Sequence, residues 1–135
     1  MKVKLNFQGK EIKTEVNKGT TVKTLIEKHH EDLEIPQEAI LKIDGNSILD
    51  RDIELSEDMT LEIRLAEVTY GANTVPIDDM IGARVNEINK IYGKVLNLPK
   101  KNKTLIQVNK KEVSGNYVIK TGDQIEFVKK VGHKL

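Results

Sequence analysis

Apolar and polar residues alternate along the start of the chain, over residues 3–7 and again over residues 12–16. Alternation with a period of two predicts two strands, and the glycine-containing turn at residues 8–10 joins them as a β-hairpin. Farther along, Val22 and Leu25 begin an apolar pattern at helical spacing, directly after threonines that can cap a helix. The first segment therefore predicts a hairpin followed by an amphipathic helix.

This helix is expected to run to about Asp32, because Pro36 disfavours helical backbone in the residue before it. Short strands are predicted at residues 40–43 and 61–65. From the start of the chain to Ala66, the order is then strand, strand, helix, strand, irregular segment and strand. One helix covering one face of a mixed sheet accounts for this order, which is the β-grasp arrangement. The opposite face of the sheet is expected to contact solvent.

The second half of the chain repeats this plan. A hairpin is predicted around a turn at residues 71–73, and its second strand should be short or at an edge because Pro76 lacks an N–H. Two further strands are predicted at residues 105–109 and 124–128. The first matches residues 40–44 in its apolar and polar order, and residues 125–127 of the second match residues 61–63. Internal repetition at the length of a small domain indicates a tandem pair.

The helix of the second half is predicted from apolar residues at spacings of three and four, from Ile77 to Tyr92. Asp78 and Asp79 would lie in its first turn, where the helix dipole favours carboxylates, and Gly93 would end it. This interpretation aligns Ile77 with Val22 of the first helix. It also makes the connection after the second helix about ten residues longer than its counterpart.

The sequence therefore predicts an α+β protein of two tandem β-grasp domains, residues 1–66 and 67–135, each a mixed sheet with one covering helix. The first domain carries 10 basic and 14 acidic residues, and the second carries 12 and 7. The net charge of the chain is +1, which gives no support for a nucleic-acid or membrane partner. No apolar run approaches the roughly 20 residues that cross a bilayer, and the first residues are typical of a strand rather than a signal peptide. A cytoplasmic location is expected.

Few residues offer catalytic or metal chemistry. The chain has no cysteine, which excludes disulfides, thiolate metal sites and a cysteine nucleophile. His29 and His30 are adjacent, so they point about 100° apart on the predicted helix and do not form a chelating pair. Asp50 and Asp52 are explained by a turn, and the basic residues 100–103 have no aromatic neighbours for base stacking. We therefore predict no enzyme activity, no metal, no cofactor and no nucleic-acid partner.

Residues 108–113 and 118–128 resemble the sulfur-carrier branch of the ubiquitin superfamily, the carriers of thiamin and molybdopterin synthesis. The shared features are an asparagine turn, here Val108-Asn109, and a glycine–aspartate pair before the last strand, here Gly122-Asp123. Glycine reaches positive φ at little cost, and aspartate caps the turn. Two such units in tandem are similar to the two-domain ubiquitin-like modifiers, which include those of bacterial anti-phage conjugation operons.

The resemblance implies a conjugation tail at Val131 and Gly132. A processing peptidase would remove residues 133–135, an E1-like enzyme would activate the glycine carboxylate, and an E2-like enzyme would transfer the protein to a target. Two alternatives stay open. The protein could be a non-conjugated β-grasp interaction module that docks a partner on a sheet face or edge. It could also be a sulfur carrier, which would use the same glycine.

Overall fold

The computed structural model describes residues 1–99 and 103–130. The chain divides into two compact units, Met1–Arg64 and a second unit that begins at Leu65. Each unit is a five-stranded mixed sheet with one α-helix between its second and third strands. This confirms the predicted α+β class and the two tandem β-grasp folds.

The first unit has five strands and one helix: β1 (Lys2–Phe7), β2 (Lys10–Glu15), α1 (Val22–Leu33), β3 (Ile40–Ile43), β4 (Asn46–Ile48) and β5 (Thr60–Arg64). The order in the sheet is β2-β1-β5-β3-β4, in which β1 and β5 are parallel and the other pairs are antiparallel. The predicted hairpin, helix and last strand are confirmed. The short edge strand β4 is an element that the sequence pattern did not reveal.

Local chemistry explains the limits of α1. The Thr21 hydroxyl oxygen accepts a hydrogen bond from the Thr24 backbone N–H at 3.3 Å, which caps the first turn. The helix ends at Leu33, because Glu34 takes a left-handed conformation with φ of 50°. Its N–H donates back to the carbonyl of His30 at 2.9 Å. The alternating apolar residues of β1 are buried, while the lysines of that strand are exposed.

The second unit also has five strands and one α-helix, with two short 3₁₀ turns: β6 (Glu67–Tyr70), β7 (Asn73–Pro76), the turns Asp78–Met80 and Val85–Glu87, α2 (Ile88–Leu96), β8 (Thr104–Val108), β9 (Lys111–Val113) and β10 (Gln124–Lys129). The order is β7-β6-β10-β8-β9. The last strand is parallel to β6 and antiparallel to β8. The predicted edge position of the proline-containing strand is confirmed.

The predicted second helix is wrong at its start. The segment from Asp78 to Met80 is a single 3₁₀ turn, and the backbone after it is not helical. The Gly82 N–H donates to the Ile119 carbonyl at 2.9 Å, and the Ile119 N–H donates to the Ala83 carbonyl at 2.8 Å. These bonds tie the backbone before α2 to a neighbouring segment, so helical structure resumes only at Val85.

The end of that helix was also predicted incorrectly. Gly93 lies inside α2 rather than at its end. The helix stops at Leu96, and Asn97 takes the left-handed conformation with φ of 58°. The Asn97 N–H donates to the carbonyls of Gly93 and Lys94, which satisfies the last turn of the helix.

The helices of the two units correspond in a different register from the predicted one. An isolated bridge precedes each helical segment, Thr21 with Glu54 in the first unit and Arg84 with Val118 in the second. The residue after the bridge, Val85, therefore takes the place of Val22, and the predicted alignment of Ile77 with Val22 is wrong.

The segments on either side of the helices agree with the observed register. The glycine before each bridge has nearly the same φ, 91° at Gly19 and 90° at Gly82. After the helices, Pro99 stands in the place of Pro36. Seven residues separate α2 from β8, against six between α1 and β3. The predicted extra length of this connection in the second unit is therefore wrong.

Asp78 and Asp79 have structural partners within the second unit. Asp78 Oδ1 accepts a hydrogen bond from the Leu65 backbone N–H at 3.0 Å. Asp79 Oδ1 accepts from the hydroxyl of Tyr92, in the middle of α2, at 2.6 Å. Burial, the Asp79 hydrogen bond and the charges of both carboxylates raise the pKa of Tyr92 to about 12. Asp79 thus ties the 3₁₀ turn to α2, and Asp78 ties it to the start of the unit.

Replacing Tyr92 by phenylalanine should make the stability of the second unit less sensitive to alkaline pH. The pKa of the hydroxyl is about 10 in an unfolded chain and about 12 in the folded unit, so its contribution is complete below pH 10 and is lost as the pH rises towards 12. Y92F should lower the free energy of unfolding by about 1 kcal/mol at neutral pH. Urea unfolding from neutral to strongly alkaline pH should show this difference shrinking above pH 10. A difference that stays constant over the whole range would contradict the assigned hydrogen bond.

Candidate functional site

The strand β10 leads into the sequence-predicted tail. It is the central strand of its sheet, with β6 on one side and β8 on the other. Beyond its last residue, the Lys130 N–H donates to the Lys103 carbonyl at 3.1 Å. The predicted tail residues Val131 and Gly132 lie outside the described residues.

A tight turn starts β10. Gly122 has φ of 95°, a conformation that favours glycine, and its N–H donates to the Leu65 carbonyl at 2.7 Å. The Asp123 N–H donates to the Lys120 carbonyl at 3.1 Å, which closes the turn. The turn at Thr121-Gly122-Asp123 is therefore confirmed, with the glycine in the expected backbone conformation.

The side chain of Asp123 joins the two motifs that carry the resemblance. It is only 4% exposed. One carboxylate oxygen, Oδ2, accepts from the Lys120 backbone N–H at 2.8 Å and from the Tyr117 hydroxyl at 3.0 Å. The other, Oδ1, accepts from the Asn109 side-chain amide at 3.3 Å. We call these four residues the Asp123 network.

Asn109 completes the network from the β8–β9 turn. Its own φ is 51°, and its side-chain oxygen accepts from the Gln124 backbone N–H at 3.0 Å. The asparagine amide therefore faces the aspartate with its nitrogen and the first residue of β10 with its oxygen. Burial, the hydrogen bond to Asp123 and the charge of that carboxylate raise the pKa of Tyr117. The network fixes where β10 begins in the sheet.

The first unit has no counterpart of this network. At the corresponding positions, Met59 stands in place of Asp123 and Asp44 in place of Asn109. The backbone still turns in the same way, since Asp44 and Asp58 both have positive φ. Asp123 and Asn109 were predicted from the sequence as turn residues, whereas Tyr117 was not. The signal available for it was the tyrosine itself, six residues before the aspartate.

Positive charge surrounds the far end of β10. Lys103, Lys129 and Lys130 are exposed there. None of the three forms an ion pair with a carboxylate of residues 1–99 or 103–130. The segment that leads towards Gly132 therefore begins in a basic environment.

The candidate residues around Asp50 form hydrogen bonds within the fold. Asp50 Oδ1 accepts from the Asp52 N–H at 2.8 Å, as expected of a turn, and the Arg51 guanidinium donates to the Gln37 carbonyl at 2.6 Å. Within the part of the chain that the structure describes, no group of three or more histidine and carboxylate side chains is placed to hold a metal ion. Across the same residues, no helix is both long and apolar enough to cross a membrane.

No protein-family model matches the chain, and no curated protein matches it significantly. The likeness to ubiquitin superfamily proteins therefore depends on the β-grasp topology and on the motifs at Val108-Asn109 and Gly122-Asp123.

The Asp123 network should be sensitive to the exchange of one carboxylate oxygen for an amide nitrogen. In D123N the remaining oxygen can still accept from Lys120 and Tyr117, but the new NH₂ group faces the NH₂ group of Asn109. We expect a loss of about 2 kcal/mol in the free energy of unfolding of the second unit, measured by urea titration. The double variant N109D/D123N restores a donor opposite an acceptor and should recover part of this loss. Equal stability of D123N and wild type would show that the buried carboxylate is not needed.

Proposed function

We propose that the protein is a ubiquitin-like modifier. In this proposal a peptidase removes residues 133–135, an E1-like enzyme activates the carboxylate of Gly132, and an E2-like enzyme transfers the protein to its target. The observation that carries the proposal is the position of β10, a central strand of a β-grasp sheet whose start is fixed by the Asp123 network. In sequence, Val131 and Gly132 come directly after the end of this strand and Lys130.

The chemistry requires a carboxylate and no catalytic group on this chain. The Gly132 carboxylate would attack the α-phosphorus of ATP in the activating enzyme and release pyrophosphate. A thiol of the E1-like enzyme would then displace AMP to give a thioester, and a thiol of the E2-like enzyme would displace the first thiol. An amine of the target would finally displace the second thiol to give an amide. The chain has no cysteine, so both thiols in the relay belong to the enzymes. Glycine suits the tail because it has no Cβ to obstruct a narrow active-site channel.

A sulfur carrier is the closest competing function. It would use the same carboxylate and the same adenylate, but sulfide from a sulfur donor would displace AMP to give a thiocarboxylate. The motifs at Val108-Asn109 and Gly122-Asp123 support this function equally, since they resemble those of the sulfur-carrier branch. The tandem pair of β-grasp units favours the modifier, in a setting such as a bacterial anti-phage operon. Neighbouring genes for an activating enzyme, a conjugating enzyme and a peptidase would support that setting.

Intact mass and conjugate formation test the proposal in the source organism. We would express N-terminally tagged chains of three lengths: wild type, a chain that ends at Gly132 and a chain that ends at Val131. Wild type should lose the mass of residues 133–135, the chain ending at Gly132 should form higher-mass adducts without processing, and the chain ending at Val131 should form none. H133A, which keeps the glycine, controls for a nonspecific effect of changing the tail.

Each outcome of this experiment separates the functions. A mature chain with one oxygen replaced by sulfur and no protein adducts would select the sulfur carrier. An uncleaved wild type, together with a Gly132-terminated chain that forms neither adducts nor a thiocarboxylate, would exclude both. The interaction module would then be the remaining function.

A further inference from the structure

A groove opens in the second unit between α2 and strands β8 and β9. Its floor is apolar, formed by Ile106, Val113 and Phe127. Asn86 and Asn89 form the wall on the helical side. The cavity has a volume of about 280 Å³. We call it the α2–β8 groove.

The first unit also has a cavity at the corresponding place, of about 500 Å³, and Ile26, Ile35 and Arg51 are among its lining residues. Ile26 of α1, Ile35 after it and Leu41 of β3 are buried there, at 6%, 3% and 3% exposure. Their counterparts in the second unit are, in the same order, an exposed asparagine and two less deeply buried apolar residues: Asn89, Leu98 and Ile106. The α2–β8 groove therefore differs from the cavity of the first unit in its helical wall, where the exposed Asn89 takes the place of the buried Ile26. Two of the apolar residues on its floor, Ile106 and Val113, are only partly buried.

The size of the groove limits what it can hold. Pockets for small molecules and cofactors are typically about 300–1,000 Å³, so the α2–β8 groove is at or below the lower limit. One large aliphatic side chain fits this volume far better than a nucleotide does. Asn86 and Asn89 also bring side-chain amides that can both donate to and accept from a peptide backbone.

The charge of the rim indicates the chemistry of the partner. Lys130 lines the groove, and its backbone is bonded to Lys103. Both ammonium groups lack an ion pair with any carboxylate in residues 1–99 and 103–130. Glu112 contributes the single acidic side chain among the described lining residues. A ligand with carboxylates beside an apolar side chain therefore complements this end of the groove.

We propose that the α2–β8 groove binds an acidic peptide segment of a partner protein. One aliphatic side chain of the peptide enters between Asn89 and Ile106, and the neighbouring carboxylates face Lys130 and Lys103. The peptide backbone exchanges hydrogen bonds with the side chains of Asn86 and Asn89. Binding at this groove uses no residue of the predicted tail, so it does not depend on the modifier chemistry.

Titration of the full-length, ¹⁵N-labelled chain with synthetic peptides tests this proposal. The probe is a blocked peptide with one leucine between two pairs of aspartates. Amide resonances should shift at residues that line the groove, with saturation below about 1 mM peptide. A matched peptide with serine in place of the leucine, and another with lysines in place of the aspartates, should each bind at least tenfold more weakly.

Two variants examine the two parts of the recognition separately. N89I removes the side-chain amide that bonds the peptide backbone and adds an apolar side chain to the helical wall, as Ile26 does in the first unit, so it should weaken binding at least tenfold while raising resistance to urea. K130E reverses the charge at the rim and should also weaken binding about tenfold, as expected for the loss of a close charge pair. K110E makes the same change in net charge beyond the opposite end of β8 and should bind like wild type.

The proposal is overturned by any of three results. Wild type could fail to bind the leucine peptide. The shifted resonances could lie outside the groove, or K130E and K110E could weaken binding equally. Since the titration measures the groove alone, its failure would leave the Gly132 experiment unaffected.

Discussion

The last strand of each unit lies between two strands that are distant from it in sequence, and the rest of each unit depends on this pairing. In the second unit β10 bonds to β6, the first strand, and to β8. Because β6 and β10 are parallel, the chain between them must cross one face of the sheet, and α2 lies on that crossing. Ile125 and Phe127 of β10 are buried on this covered face. A change that displaced β10 would therefore separate the two halves of the sheet and expose the core.

The hairpins, α1 and the last strands could be predicted from the sequence because one local pattern determines each of them. The start of α2 could not be predicted in this way. Ile77 and Met80 are both buried, but a spacing of three occurs in a 3₁₀ turn as well as in an α-helix. The bond from Gly82 to Ile119 decides between them, and its partner is far along the chain. The repeat offered the missing signal, since the spacing from Gly82 to Leu98-Pro99 equals that from Gly19 to Ile35-Pro36.

The candidate site was predictable to a lesser degree. Motif chemistry identified Asp123 and Asn109 as turn residues, and the structure places both in one buried network. Tyr117 could not be included, because nothing in its local sequence shows that its hydroxyl reaches the aspartate. The α2–β8 groove was harder to predict from the sequence than the Asp123 network. Its polar helical wall includes Asn89, and only the correct alignment of α2 with α1 shows that this asparagine takes the place of the buried Ile26.

The same backbone plan is stabilised differently in the two units. Replacing a buried isoleucine such as Ile26 by the exposed Asn89 forgoes about 2–3 kcal/mol of apolar burial. The Asp123 network, which the first unit lacks, contributes about 2 kcal/mol through charge-assisted hydrogen bonds. The two effects are of similar size. The network can therefore offset the stability lost at the groove, and it does so at the end of β10 that is remote from Lys130. This separation lets the second unit keep an open apolar surface beside its basic end while β10 stays fixed in the sheet.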